Sequence, residues 1–260
     1  MCCRGVLFTD LDGTLLDFDT YRPSPEALEA LSLVARNNIL TVPVSSKTAA
    51  EVRPLLRELK LPGPAVVEGG PVMVLADGSE EVVGRPRSEL LEVLDRLRST
   101  GWPLRGLSAM AVDEVTRLTG LHAEGVRDAM TRLASEPFIA TRPLDPDAIE
   151  NLEKNVMVLG AGIVRGGRFW HLLGAGVDKG FGMRSALATL ASGDRLPTAA
   201  VGDAWNDLPM LAEADLGFLL GDRVGEESVP LGVVRLAVAG PEGFSEAVRR
   251  ILRAWRLSEC

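Results

Sequence analysis

The sequence has few of the residues that build disulfide frameworks, zinc sites or histidine-based catalytic centres. Its 260 residues include three cysteines, Cys2, Cys3 and Cys260, all of them close to the ends of the chain. Because their number is odd and their position terminal, we interpret them as reduced cytosolic thiols. The two histidines, His122 and His171, give little support for nucleophilic catalysis by a histidine-activated side chain.

Long hydrophobic runs and an excess of positive charge are also missing. No apolar stretch reaches the roughly 18 residues that a membrane-spanning helix requires. The opening residues MCCRGVLF lack the length and cleavage pattern of a signal peptide, so we expect a cytoplasmic protein. A net charge of −8 argues against nucleic acid or an anionic membrane as partner. The oligomeric state stays open.

Glutamine is absent, and lysine occurs only at Lys47, Lys60, Lys154 and Lys179. A GC-rich genome would explain why arginine replaces lysine. A hot habitat would explain the missing thermolabile amide, so the composition favours a thermophilic source.

Apolar runs alternate with amphipathic segments along most of the chain. Thr48 and Glu51 fit a capping box at the start of one predicted helix. A hairpin is expected to turn at Asp77 and Gly78. The predicted strands are GVLFTD, ILTVPVSS, PAVVEGG, TAAVGD and LGFLL. Such alternation predicts an α/β fold, a doubly wound and mostly parallel sheet with crossover helices.

The alternation is interrupted over residues 84–175, which we call the inserted segment. Here RSELLEVLDRLRSTG and AEGVRDAMTRLAS predict two amphipathic helices, whereas NVMVLGAG and RFWHLLG are predicted to be strands. We therefore expect a core domain formed by residues 1–83 and 176–260, with an inserted α+β domain at 84–175.

Two carboxylates, Asp10 and Asp12, follow the first predicted strand. Residues two apart on an extended chain share a face, and open α/β sheets bind ligands at the carboxyl ends of their strands. The pair alone is also consistent with a turn, a solvated strand end or part of a calcium loop, although Phe8 then occupies the position of the first calcium ligand.

Three further polar groups are predicted at the same rim of the sheet. Hydroxyls and free backbone N–H groups that open a helix form an anion site. Each group taken alone also has an ordinary structural explanation: a capped helix, a surface lysine and a polar loop, respectively. The location of all three at one rim nevertheless favours a functional site. The groups are Ser45, Ser46, Lys47 and Thr48 after the second strand, Lys179 at the start of a later helix, and Asp203, Asn206 and Asp207 after another strand.

In their order and spacing these residues resemble the haloacid dehalogenase superfamily of phosphatases. The matching motifs are Asp10 to Thr14, Ser45, Lys179 and Gly202 to Asp207. Ala204 departs from the serine that relatives with a large cap often carry, but no metal or phosphate contact is expected from that hydroxyl. The resemblance implies that the inserted segment is an α/β cap.

The resemblance also implies catalytic roles. Asp10 would attack phosphorus to form an aspartyl-phosphate, which divides a very slow hydrolysis into two steps. Asp12 would transfer protons, while Ser45 and Lys179 would bind the phosphoryl oxygens. The implied metal is Mg²⁺, held by Asp10, the Asp12 carbonyl and Asp203, with Asp207 and Asn206 orienting its waters and Lys179.

Four segments narrow the resemblance to the family of phosphatases that act on mannosyl-3-phosphoglycerate and release the compatible solute mannosylglycerate. They are VPVSSKTAAEV, SEPF, GGRFWHLLG and GDAWNDLPML. The implied partner is a small phosphorylated sugar-glycerate, whose carboxylate favours arginine. Other candidates are a glucosyl-3-phosphoglycerate or sucrose phosphate phosphatase, a phosphomutase and a non-catalytic phosphate sensor. The candidate substrate-binding residues are Ser46, Lys47, Thr48 and Asn206 in the core, and Arg132, Arg142, Arg165 and Arg168 in the inserted segment.

Overall fold

The computed structural model describes residues 3–166, 168–190 and 195–257, so the predicted thiols Cys2 and Cys260 lie outside the described residues. The strands are β1 (Gly5–Thr9), β2 (Ile39–Pro43), β3 (Ala65–Val67), β4 (Val72–Val74), β5 (Glu80–Val82), β6 (Leu104–Gly106), β7 (Glu136–Ala140), β8 (Ala161–Arg165), β9 (Trp170–Gly174), β10 (Thr198–Gly202), β11 (Leu216–Leu220) and β12 (Val234–Leu236). The helices are α1 (Pro25–Arg36), α2 (Ala49–Glu58), α3 (Arg87–Ser99), α4 (Val112–Thr119), α5 (Ala123–Met130), α6 (Pro146–Val158), α7 (Lys179–Leu190), α8 (Leu208–Glu213) and α9 (Gly240–Ala254).

A parallel sheet with the strand order β12-β11-β10-β1-β2 forms the centre of the fold. Neighbouring side chains of a strand point to opposite faces of the sheet. Leu7 of β1 accordingly packs with α1 and α9 on one face, whereas Val6 and Phe8 pack with α7 and α8 on the other. Helices therefore cover both faces, which confirms the predicted doubly wound α/β class.

The capping and turn signals are confirmed. The Thr48 hydroxyl accepts from the Glu51 N–H, and the Glu51 carboxylate accepts from the Thr48 N–H. Gly78 lies in the hairpin between β4 and β5 with a φ of 84°. The structure differs at β3, which joins β4 and β5 in a separate antiparallel sheet. A parallel bridge between Val44 and Val66 connects it to the β2 side, and the Ser45 N–H donates to the Val66 carbonyl at 2.9 Å.

The inserted segment contains an antiparallel sheet with the order β6-β7-β9-β8. Helices α3 and α6 pack on one face of this sheet around Phe138 and Leu172. Helices α4 and α5 pack in a smaller cluster that includes Ile139 and Phe169. Among the described residues, no helix combines the length and apolar character needed to cross a membrane.

The strand predicted for NVMVLGAG is wrong over its first half, because Asn155 to Val158 belong to α6. The Asp145 carboxylate caps this helix at the Ala148 N–H, and the side chains of Leu152 and Val156 are buried one turn apart on the same side. The helical spacing of these residues is a stronger signal than the short apolar run that follows. Strand β8 begins after Gly160, whose φ of 71° ends the helix.

Candidate active site

Three neighbouring strands deliver polar residues to one rim of the central sheet. Asp10 follows β1, Ser45 lies two residues beyond β2, and Asp203 follows β10. Thr9 is in register with both Pro43 and Val201, so the three strands end at the same level. The Asp10 N–H donates to the Val201 carbonyl at 2.9 Å, which fixes the first aspartate at the rim.

The buried ammonium of Lys179 joins two of the predicted carboxylates. Lys179 is the first residue of α7, and its Nζ lies 2.5 Å from Asp10 Oδ1 and 2.5 Å from Asp207 Oδ1. Burial by itself would lower the pKa of Lys179, but the charges of Asp10 and Asp207 outweigh burial and raise it. A permanent positive charge therefore stands beside Asp10.

Three carboxylates form a cluster in which one oxygen of each lies within 4.8 Å of an oxygen of the other two. They belong to Asp10, Asp203 and Asp207. Burial, and then repulsion by the neighbouring carboxylates, raises the pKa of Asp10, although Lys179 opposes the shift. The pKa of Asp203 rises to about 6, first through burial and then through Asp207. The second oxygen of Asp207 accepts from the N–H groups of Asp203 and Ala204 at 3.0 and 2.9 Å.

This carboxylate cluster fits a small divalent cation. Its donors are all oxygen, which is the ligand type that Mg²⁺ prefers. Three buried carboxylates face the buried Lys179 and the partly exposed Arg223. Negative charge is left uncompensated, as the raised pKa values of Asp10 and Asp203 indicate. Asp10, Asp203 and Asp207 could therefore hold the metal with their side chains.

The Asp12 side chain lies apart from that cluster and pairs with Lys47. Lys47 Nζ is 2.7 Å from Asp12 Oδ2 and 5.1 Å from the centre of the Tyr21 ring. Asp12 Oδ1 is buried and has no hydrogen-bond partner among the described residues. Gly13, which lies between Asp12 and Thr14, adopts a φ of 85°. A Cβ atom at this position would lie 2.6 Å from Asp203 Oδ2. The turn therefore requires glycine.

The loop after β2 serves both the site and the contact with the inserted segment. Ser45 is buried, and its hydroxyl accepts from the Lys47 N–H at 3.2 Å. Ser46 and Lys47 line the large cavity described below. The Thr48 hydroxyl caps α2 and also donates to the Asp128 carbonyl of α5 at 2.8 Å. Its hydroxyl is therefore already engaged in structural contacts.

Glu68 connects the same loop to the inserted segment. Its N–H donates to the Lys47 carbonyl at 2.7 Å, and its φ is 58°, in the left-handed region. Its buried carboxylate accepts from the N–H groups of Leu133 and Ala134 and from the Ser135 hydroxyl, at 2.7, 3.1 and 2.6 Å. These bonds engage residues that the sequence pattern assigned to a helix, whereas α5 ends at Met130.

A cavity of about 730 Å³ lies between this rim and the inserted segment. Its polar lining includes Asp12, Ser46 and Lys47 from the core, and Arg132, Arg168 and His171 from the inserted segment. The apolar lining includes Leu16, Phe18, Leu55, Leu107, Leu121 and Phe169. The cavity therefore joins charged groups near Asp12 to a broad apolar wall, a combination typical of small-molecule sites.

The predicted arginines differ in their location. Arg132 lines the cavity, and its Nη1 donates to the Ser46 carbonyl and the Ser135 hydroxyl at 3.2 and 3.0 Å. Arg168 also lines the cavity and donates to the Thr119 carbonyl at 2.8 Å. Arg142 and Arg165 are exposed and are not among the described lining residues. Arg165 lies over the Trp170 ring at 5.6 Å.

A much smaller cleft, of about 10 Å³, lies next to the buried lysine. Asn206, Lys179, Ser46 and His171 are among its lining residues. Asn206 and Lys179 therefore line the same cleft. Ser46, in the loop after β2, lines this cleft as well.

Arg223 and Glu68 are site residues that the sequence analysis missed. Arg223 Nη1 lies 2.8 Å from Asp203 Oδ2, and its guanidinium covers the Phe18 ring at 4.2 Å. Arg223 could have been found as a charged residue shortly after β11, the strand next to β10 in the sheet. Glu68 could have been found as a carboxylate directly after an apolar strand and before Gly69 and Gly70.

Comparison with known proteins finds relatives that align with nearly the whole chain. The family model of the haloacid dehalogenase-like hydrolases matches residues 7–94. A glucosyl-3-phosphoglycerate/mannosyl-3-phosphoglycerate phosphatase from Persephonella marina is 32% identical over 265 residues, covering 95% of this chain and 97% of the relative. A phosphatase with the same description from Methanococcoides burtonii is 30% identical over 269 residues, covering 96% and 97%.

Solved structures share the fold. A phosphatase of the haloalkanoate superfamily from Bacteroides thetaiotaomicron has a TM-score of 0.71 at 21% identity, with 98% of this chain and 96% of the other covered. Thermoplasma acidophilum 0175 gives a TM-score of 0.70 at 21% identity, with 99% and 100% covered. The chain belongs to the haloacid dehalogenase-like hydrolases. It is a phosphatase.

Proposed function

We propose that this phosphatase is Mg²⁺-dependent and hydrolyses mannosyl-3-phosphoglycerate to mannosylglycerate and phosphate. The observation that carries the proposal is the pairing of Asp10 with Lys179 at the rim, next to a cavity lined by Arg132 and Arg168. The side chains of Asp10 and Lys179 are placed to react with and bind a phosphoryl group, whereas the two arginines can bind a carboxylate. Glucosyl-3-phosphoglycerate is the second candidate, because the printed descriptions of both relatives include it.

In the proposed reaction Asp10 attacks phosphorus, so a carboxylate O–P bond forms and the ester P–O bond breaks. Asp12 donates its proton to the departing glycerate oxygen. Asp12 then accepts a proton from water as the water attacks phosphorus, which releases phosphate and regenerates Asp10. Lys179 and Ser45 stabilise negative charge on the phosphoryl oxygens.

Asp10, Asp203 and Asp207, together with the Asp12 carbonyl, would hold Mg²⁺. When bound, the metal supplies positive charge that offsets the repulsion between Asp10 and an anionic substrate. The pairing of Asp12 with Lys47 keeps the second aspartate away from the cluster, on the cavity side. That position suits a group that exchanges protons with the leaving oxygen and with water.

We also propose that the inserted segment, residues 84–175, is the cap over a core formed by residues 1–83 and 176–260. The core motifs all lie outside it, and it contacts both the loop after β2 and Glu68, which follows β3. Thr48 bonds to Asp128, Arg132 bonds to Ser46, and Glu68 holds residues 133–135. A cap in this position would exclude water from the reacting groups and read the leaving group.

The first test measures phosphate released, with Mg²⁺, from mannosyl-3-phosphoglycerate, glucosyl-3-phosphoglycerate, sucrose phosphate and p-nitrophenyl phosphate. The proposal requires a kcat/KM for the mannosyl ester well above those for sucrose phosphate and the nitrophenyl ester. A higher value for the glucosyl ester would assign the second candidate. Comparable values for all four esters would contradict recognition of phosphoglycerate.

The second test compares Arg132→Ala with Arg165→Ala, its matched control in the same segment. Loss of a charged hydrogen-bonding partner from the cavity should lower kcat/KM for the phosphoglycerate ester on the order of 100-fold. We expect a much smaller effect on p-nitrophenyl phosphate, and no effect of Arg165→Ala on either substrate. Equal losses on both substrates for Arg132→Ala would show that Arg132 does not read the leaving group.

A further inference from the structure

His171 lies between the two cavities of the site. The large cavity and the smaller cleft beside Lys179 are lined by different residues, but Ser46 and His171 line both. His171 belongs to β9, whose neighbouring side chains Trp170 and Leu172 pack in the cluster with α3 and α6. Alternation along the strand therefore directs His171 to the opposite face, toward the core.

The surroundings of His171 are positively charged. Burial, followed by the charges of Arg132 and Lys179, lowers the pKa of His171 to about 3. The imidazole is therefore neutral near pH 7, with one N–H donor and one acceptor nitrogen. Its Nδ1 is buried and has no hydrogen-bond partner among the described residues. Buried polar groups are nearly always satisfied, so the imidazole has hydrogen-bonding capacity that the described residues do not use.

The charges around the ring restrict what that partner can be. Lys179 lines the small cleft and Arg132 lines the large cavity, and both side chains attract anions. A ligand that extends from the cleft past His171 into the cavity should therefore carry negative charge at each end. A phosphate ester with a carboxylate a few atoms from the ester oxygen has this form. The neutral ring cannot supply a catalytic proton near pH 7, but its N–H can donate to a ligand oxygen.

We propose that His171 is a specificity residue that hydrogen-bonds the glycerate part of the substrate between the phosphate and the carboxylate. This inference rests on the proposed function, because it takes a phosphoglycerate as the ligand. It adds a histidine on β9 to the substrate-binding residues. The substrate contacts that the sequence predicted in the inserted segment were all arginines.

The test replaces His171 with Phe, Asn and Gln. Phenylalanine retains a ring without nitrogen, while the amides of Asn and Gln can take the places of Nδ1 and Nε2 respectively. The matched control is His122→Phe, which changes the exposed histidine of the same segment. Steady-state rates are measured on mannosyl-3-phosphoglycerate and p-nitrophenyl phosphate, together with Ki values for 3-phosphoglycerate and for inorganic phosphate against the nitrophenyl ester.

Loss of one hydrogen bond to an anionic ligand corresponds to about 10- to 100-fold. We expect His171→Phe to lower kcat/KM on the phosphoglycerate ester and raise the Ki of 3-phosphoglycerate by that factor. The rate on p-nitrophenyl phosphate and the Ki of phosphate should stay within about threefold, which also shows that the variant folds. Either the Asn or the Gln variant should recover part of the loss.

Two results separate this inference from the proposed function. If wild-type protein does not hydrolyse sugar-phosphoglycerates but His171→Phe still raises the Ki of 3-phosphoglycerate alone, the proposed substrate is wrong and the role of His171 stands. If all three variants leave that Ki unchanged, or if they change both Ki values equally, His171 does not contact the glycerate part. If Phe fails to fold, the Asn and Gln variants decide by the same Ki comparison.

Discussion

Replacing Asp203 with asparagine should stabilise the metal-free protein while impairing metal binding. Asp203 is buried beside Asp207, and its pKa is raised from 3.8 to about 6. The folded state therefore binds this proton more tightly than the unfolded state does. The associated stability is fully present below pH 3.8 and is lost as the pH rises through the folded pKa of about 6.

The difference between the two pKa values corresponds to about 3 kcal/mol of destabilisation above pH 7. Asparagine removes this cost. The ion pair with Arg223 already lowers the folded pKa of Asp203 and is therefore contained in this difference. The gain of about 3 kcal/mol corresponds to a rise in Tm of about 6–12 °C for a chain of this size.

The assay is thermal unfolding in EDTA at pH 7.5 and pH 5, with and without Mg²⁺. The rise in Tm should fall to about half at pH 5, where the folded state of wild-type protein retains most of its proton. Mg²⁺ should raise the Tm of wild-type protein more than that of Asp203→Asn. Asp222→Asn makes the same charge change at a neighbouring exposed site and should leave the Tm unchanged. An Asp203→Asn protein that melts at or below the wild-type temperature in EDTA at pH 7.5 would refute this reasoning.

Three further predictions concern turnover and the contact between core and inserted segment. Asp10→Asn should reduce phosphate release on the order of 10⁴-fold or more with the fold retained; more than a tenth of wild-type activity would contradict an aspartyl nucleophile. Activity should disappear in EDTA and return with Mg²⁺, so full turnover after dialysis against EDTA would exclude the metal. Glu68→Ala should leave the N–H groups of Leu133 and Ala134 without their partner and lower the unfolding free energy by about 2–4 kcal/mol; an unchanged denaturant midpoint would show that these bonds contribute little.

The sequence carried enough information to predict four of the five strands of the central sheet, β1, β2, β10 and β11, because each is a short apolar run. Asp10, Ser45 and Asp203 follow such runs directly. Strand β12 contains the charged residue Arg235 and was not predicted. Parallel strands bring their carboxyl ends to one edge, so the proximity of these residues followed from topology. The capping box at Thr48 and the turn at Gly78 are equally local.

Long-range contacts account for most of what was not predicted. The left-handed conformation of Glu68, and its bonds to residues 133–135, join parts of the chain that are 65 to 67 positions apart. The end of α5 at Met130 depends on the same bonds, whereas the sequence pattern continues as a helix. Arg132 and Arg165 have similar local sequence character, and only packing decides that Arg132 lines the cavity.

The bonds at Glu68 have a kinetic consequence for any motion that separates the inserted segment from the core. Such a motion deprives a buried carboxylate of three donors at once, and a barrier to release arises on the opening limb of the cycle. Closing restores all three bonds together. Any opening that admits a molecule must break these bonds, just as any opening that releases one does. In such a motion Glu68 would slow exchange in both directions through a contact that lies outside the carboxylate cluster.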